Sequence, residues 1–361
     1  MDELDRIWSR AEELAERAPG PADLRAHRLE LVAAHRLRRR GDRPPAQLRD
    51  AERLAAVAAL AAPVVLARAR AAYDGPLVLM KGPEIAARYP DPALRPFWDV
   101  DLLVDDAPAA QRALLDAGFA LAGRWPEVEL HHGWPLTWPG LPIGVELHSA
   151  AHWPELLPAP PAAELLACAV PARCAGGVAT LAPAQHTLVV AAHSWAHAPL
   201  ACIGQLVDVA LLAREADERE LDALARRWGC ARMWRTTRSA IDALLLGTRP
   251  PSAAMRLWAR HLRAARERML LEHHVEQLAS PLWGASPPRA AHASARMLAR
   301  RARPMGGETW ARKLFRLRRA FANAGLRHSE HFARLPPEDR HLGGPTDYRD
   351  PPAISEPRSH V

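Results

Sequence analysis

The chain has 361 residues, 49% of them hydrophobic and 25% charged, and a net charge of +7. That is the make-up of an ordinary soluble globular protein with room for two domains. Four cysteines without CxxC spacing exclude a zinc knuckle and a dense disulfide framework.

The basic balance, with a pI near 9.9, favours anionic partners such as nucleotides, RNA or acidic peptides. Arginine-rich solvated helix faces would give the same balance. Lysine occurs only at Lys81 and Lys313. The opening MDELDRIWSRAEEL is charged and amphipathic, unlike a signal peptide. No stretch of 18 apolar residues is free of charge or proline, so no membrane span is expected. A reduced, cytoplasmic protein is the expectation.

In chain order, residues 1–18 and 22–40 read as amphipathic helices separated by Pro19-Gly20-Pro21. Residues 46–73 read as a long helix that Pro63 kinks or divides. A short buried strand over 77–80 leads to Lys81-Gly82, two helical turns over 82–89 and the Pro90-Asp91-Pro92 turn. Asp99 to Val104 alternates as a strand, 107–117 reads as a helix, and strands are expected at 119–124, 128–138 and 143–148. After the proline-rich 154–161 the pattern is helical: 162–168, 183–197, 202–216, 218–228, 231–246, 252–279, 289–302 and 308–325. A brief strand at Val178–Leu181 is the exception. The expected division is an N-terminal helical segment (1–73), a catalytic core (74–160), a helical domain (161–334) and a disordered or loosely packed tail (335–361).

The chemistry concentrates in LVLMKGPEIAARYPDPALRPFWDVDLLV, residues 77–104. Asp99 and Asp101, two apart on a strand, point to one face. Like charges held that close call for a cation between them. In IGVELH the apolar set Ile143, Val145 and Leu147 leaves Glu146 on the opposite face. Beside the Asp99–Asp101 strand it would complete three carboxylates, a set that suits Mg²⁺ or Mn²⁺. His148 shares the Glu146 face, where it would orient Glu146 or touch substrate.

LMKG, LRPFWDVDLLV, GVELH and a helix bearing HSWAH followed by Asp208 together resemble the uncharacterised nucleotidyltransferase family, of the polymerase-β-like superfamily. The resemblance implies an α+β fold: a mixed sheet flanked by helices, with N-terminal helices and a C-terminal all-helical domain. It implies transfer of a nucleoside monophosphate from an NTP to a hydroxyl or phosphate acceptor, releasing pyrophosphate by a two-metal mechanism. Asp99, Asp101 and Glu146 would be the metal ligands, with Glu146 also the base. Lys81 and Gly82 stand where the superfamily usually carries Gly-Ser, and with Arg95 would contact the nucleotide phosphates. The acceptor would be a small metabolite, an antibiotic, a peptide or a protein.

His193 and His197 are one helical turn apart, but Ser194 occupies the place of a zincin glutamate. They and Asp208 are candidates for substrate contact or for support of the site. The basic run at 296–303, with Lys313, Arg316, Arg318 and Arg319, leaves a toxin-like transferase acting on tRNA or protein as an alternative. A non-catalytic nucleotide-binding module is the other.

Overall fold

The structure is a computed structural model and describes residues 2–122, 134–174, 177–304, 308–327 and 329–330. Three helices open the chain: α1 (Glu3–Arg17), α2 (Pro21–Ala26) and α3 (Glu30–Arg39). Asp2 caps α1, taking the Asp5 amide at 3.2 Å while the Asp5 carboxylate takes the Asp2 amide in return. Ile7, Trp8, Ala11 and Leu14 recur at helical spacing and are buried.

The fourth helix, α4 (Ala46–Ala72), is continuous through Pro63. Pro63 lies on the exposed side, where water can serve the carbonyl its missing N–H leaves behind. Among the described residues α4 is the helix long and apolar enough to cross a membrane, by length and composition only. One side of it, with Ala55, Ala58, Ala62, Val65, Leu66 and Ala69, is buried.

The next elements are β1 (Val78–Leu79), α5 (Pro83–Ala86), β2 (Asp99–Leu103), α6 (Ala107–Asp116), β3 (Ala120–Leu121), β4 (Leu136–Thr137) and β5 (Gly144–His148). They are followed by α7 (Ala162–Ala167), β6 (Ala169–Pro171), β7 (Ala179–Leu181) and α8 (Pro183–His197). The strands form one mixed seven-stranded sheet in the order β3-β4-β5-β2-β1-β7-β6. β2–β5 and β1–β7 are parallel; the other neighbours are antiparallel. Leu77, Leu79, Val100, Leu102, Val104, Val145 and Leu147 pack with the α4 alanines and Leu114 into the core. An α+β fold with a mixed sheet flanked by helices is what the resemblance implied. Part of the strand expected at 128–138 lies outside the described residues, as do the end of that expected at 119–124 and the tail.

The chain continues through α9 (Ile203–Ala213), α10 (Glu218–Arg227), α11 (Ala231–Ile241), α12 (Ala253–Leu257), α13 (Arg260–Ala264) and α14 (Leu270–Ala279). α15 (Pro281–Gly284), α16 (Pro287–Ala302) and α17 (Trp310–Ala322) follow. The single helix expected over 252–279 is three. α13 ends at Ala265 with φ +46°. Buried Glu272 then collects the two terminal Arg266 guanidinium nitrogens, at 2.9 and 2.7 Å, and the Met269 amide at 3.1 Å. A buried carboxylate that needs these donors holds 266–269 out of the helix.

Contacts divide the chain into two compact units. Of the described residues, the sheet unit comprises those within Pro44–His152 and Pro160–Val189; the helical unit comprises those within 2–43, Trp153–Ala159 and 190–330. Thus α4, placed with the N-terminal helices by its sequence pattern, belongs with the sheet whose core it covers. The β6–β7 hairpin joins it too, because β7 pairs with β1.

Within the helical unit, His27 and His261 are fully buried and stacked, with ring centroids 5.9 Å apart. Their Nε2 atoms reach carbonyl oxygens of Arg266 at 2.8 Å and Ala201 at 3.1 Å. Burial pushes His27 down to about 4 and His261 well below its usual value; the Arg266 and Arg268 guanidiniums add to this in both. The folded state thus stays neutral where the unfolded chain takes up protons, so stability falls as pH drops below 6.5. Chemical denaturation at pH 6.5 and 5 should show a loss of about 1.5 kcal/mol from His27 alone. His27→Gln, which keeps an N–H for the Arg266 carbonyl but cannot titrate, should remove that part of the slope and leave the part due to His261.

Candidate active site

The parallel pairing of β2 with β5 sets Asp99 beside Gly144, Asp101 beside Glu146 and Leu103 beside His148. Period-2 alternation sends Asp101, Glu146 and His148 to one face and Val100, Leu102, Val145 and Leu147 to the core. The chain leaves β1 alongside this site, because the Met80 amide donates to the Asp101 carbonyl at 2.9 Å. Lys81 then turns its ammonium to Asp101 Oδ1 at 2.9 Å.

His148 Nε2 lies 3.2 Å from Asp101 Oδ1 and 3.8 Å from Glu146 Oε2. One ligand atom from each of Asp101, Glu146 and His148 falls within 4.8 Å of the others. All three side chains are buried, Asp101 at 1% exposure. Two carboxylates and an imidazole, facing one another in a buried place, are a donor set that fits a divalent cation. Lys81 supplies one positive charge against the two carboxylates.

Several buried polar groups hold the backbone that presents Lys81. Thr180 Oγ1 donates to the Leu79 carbonyl at 2.9 Å, and His186 Nε2 donates to the Met80 carbonyl at 2.7 Å. Arg95 Nη1 donates to the Gly82 carbonyl at 3.1 Å. Glu84, fully buried, binds Arg88 at 2.8 Å and takes the Arg173 amide at 2.9 Å, tying α5 to the turn after β6. Gly82 itself has φ +68°, and a Cβ there would stand 2.9 Å from the Asp99 carbonyl oxygen.

Of the residues singled out in the sequence, Lys81, Asp101, Glu146 and His148 come together. Asp99 sits at the start of β2, half-buried and outside the three-residue group. Its register neighbour Gly144 has no side chain to extend the cluster. Arg95 is buried against the Gly82 carbonyl. His193 and His197 pack ring to ring at 4.5 Å, and Asp208 is buried in α9; all three belong to the helical unit. The sequence reading missed Thr180, His186 and Glu84. A titratable side chain at an apolar phase, as His186 is in α8 and Glu84 in α5, was the available signal.

Gly82→Ala should destabilise the protein by about 2 kcal/mol or more, because it combines a positive φ with a clash against backbone oxygen. Thermal and chemical denaturation would measure this; unchanged stability would mean that the turn relaxes without strain.

No curated protein and no solved structure matches the chain. A family model described as "Uncharacterised nucleotidyltransferase" matches residues 23–245, more than half of the sequence and all of the strands carrying the carboxylates. The chain belongs to the uncharacterised nucleotidyltransferase family.

Proposed function

We propose that this protein moves a nucleoside monophosphate from an NTP to a hydroxyl or phosphate acceptor. The observation that carries this reading is the in-register pairing of Asp101 with Glu146, with Lys81 against the same face, in a nucleotidyltransferase chain. Asp101 and Glu146 would hold divalent cation, Mg²⁺ or Mn²⁺, with Asp99 at the edge of the same strand. When bound, the cation supplies charge neutralisation at the phosphates and lowers the pKa of an attacking hydroxyl.

The chain's own groups account for the remaining work. Glu146 is the candidate base for the acceptor hydroxyl, since its carboxylate accepts a proton and faces the site. Lys81 carries a positive charge next to Asp101, which would attract the phosphates of an NTP. Gly82, lacking a Cβ, lets the turn after Lys81 pass close to the Asp99 carbonyl. Arg95 supports this turn through the Gly82 carbonyl. Positioning and electrostatics dominate such phosphoryl chemistry, and the site lies on paired strands within one compact unit.

Incubation with α-labelled NTPs, divalent cation and candidate acceptors should release pyrophosphate and transfer label. Asp101→Asn and Glu146→Gln should each lower the rate by about 10²-fold or more. Transfer that survives both substitutions would remove the activity from this site. Nucleotide binding without turnover against any acceptor would favour the binding-module alternative.

A further inference from the structure

We infer that His148 is a nitrogen ligand of the metal centre, and that the centre therefore favours a first-row transition cation such as Mn²⁺ over Mg²⁺. This rests on the reading above that Asp101 and Glu146 hold a divalent cation.

The first support is position. β5 pairs with β2 in parallel, and alternation along β5 brings His148 to the face that carries Glu146. Its ring is buried, at 4% exposure, and Nε2 is directed at both carboxylates rather than at solvent. The second is spacing. Ligand atoms about 2.1 Å from one ion and at right angles to each other lie about 3 Å apart. The Nε2–Oδ1 separation of 3.2 Å is close to that, and the Nε2–Oε2 separation of 3.8 Å suits a wider angle at the same ion. Small rotations of three side chains, with no change of strand register, would close the set.

The third is donor chemistry. Mg²⁺ is a hard cation that takes oxygen donors and keeps much of its water. Imidazole nitrogen is a poor exchange for one of those waters, whereas transition cations accept it readily. A site with two carboxylates and one imidazole keeps enough oxygen for Mn²⁺ and adds a donor that Mg²⁺ gains little from. The resemblance names only carboxylates as metal ligands; His148, in the same GVELH segment as Glu146, adds a nitrogen donor to them.

The test is pulsed EPR of the full chain titrated with Mn²⁺, alongside competition by Mg²⁺. Wild type should show ¹⁴N modulation from a directly bound nitrogen. In protein labelled with ¹⁵N-histidine the modulation should shift to the ¹⁵N frequency, which excludes Lys81 and backbone nitrogen and needs no variant. His148→Gln should abolish the modulation and reduce the Mn²⁺ over Mg²⁺ preference by about tenfold. Mn²⁺ that binds in an Asp101-dependent way without histidine modulation, or with modulation persisting in His148→Gln, would overturn the inference and leave the proposed activity standing. If no Mn²⁺ binding depends on Asp101, the metal centre itself fails, and the inference with it.

Discussion

The parallel pairing of β2 with β5 is the contact on which the site depends. It places Asp101 next to Glu146 in register, so two carboxylates share a buried face. Without opposite charge that arrangement would be unfavourable. Lys81 brings an ammonium to Asp101, and the His148 ring lies against both acids. The sheet can keep these charges buried because strand pairing fixes their spacing. The other side of the same strands is held by Val100, Leu102, Val145 and Leu147 in the core. A slip of one residue in either strand would bury the acids in that core and expose its aliphatic residues, so the packing that stabilises the sheet also fixes the site.

Around this pair, buried polar side chains grip the backbone. Thr180, His186 and Arg95 take the carbonyls of Leu79, Met80 and Gly82, the residues on either side of Lys81. Two of these donors come from β7 and α8, about a hundred positions further along the chain. The β1–β7 pairing is what brings them there. The extension of the sheet by β7 and β6 is thus more than an edge: it carries the groups that steady the turn presenting Lys81. Glu84 serves the neighbouring helix in the same way, through Arg88 and the Arg173 amide.

Much of this was legible before any fold was in view. Alternation in DVDLLV and GVELH is enough to put Asp101, Glu146 and His148 on polar faces, because a strand has only two sides. Pairing between the two segments is a different kind of fact. It depends on which strands become neighbours and in what register, and no local period encodes that. Asp99 shows the difference: its phase equals that of Asp101, yet its register neighbour is Gly144, whereas Asp101 has Glu146 beside it. The break at 266–269 shows it again. Apolar spacing continues through that stretch, but buried Glu272 needs donors that only the folded chain brings to it.

The sequence by itself determined the strands that carry the acids, the faces on which those acids lie and, through the resemblance of its motifs, the α+β class and the nucleotidyltransferase family; it did not show β6. The strands and their faces follow from periodicity and local residue chemistry, which act over a few residues; the class and family follow from the motifs' resemblance. The tertiary structure decided that Glu146 stands beside Asp101 rather than Asp99, that His148 joins them, that Arg95 braces the Gly82 turn, and that β7 and α8 supply its other supports. Each of those is a contact between segments distant in the chain. Such contacts are selected by burial of the shared core and by the need of buried polar groups for partners.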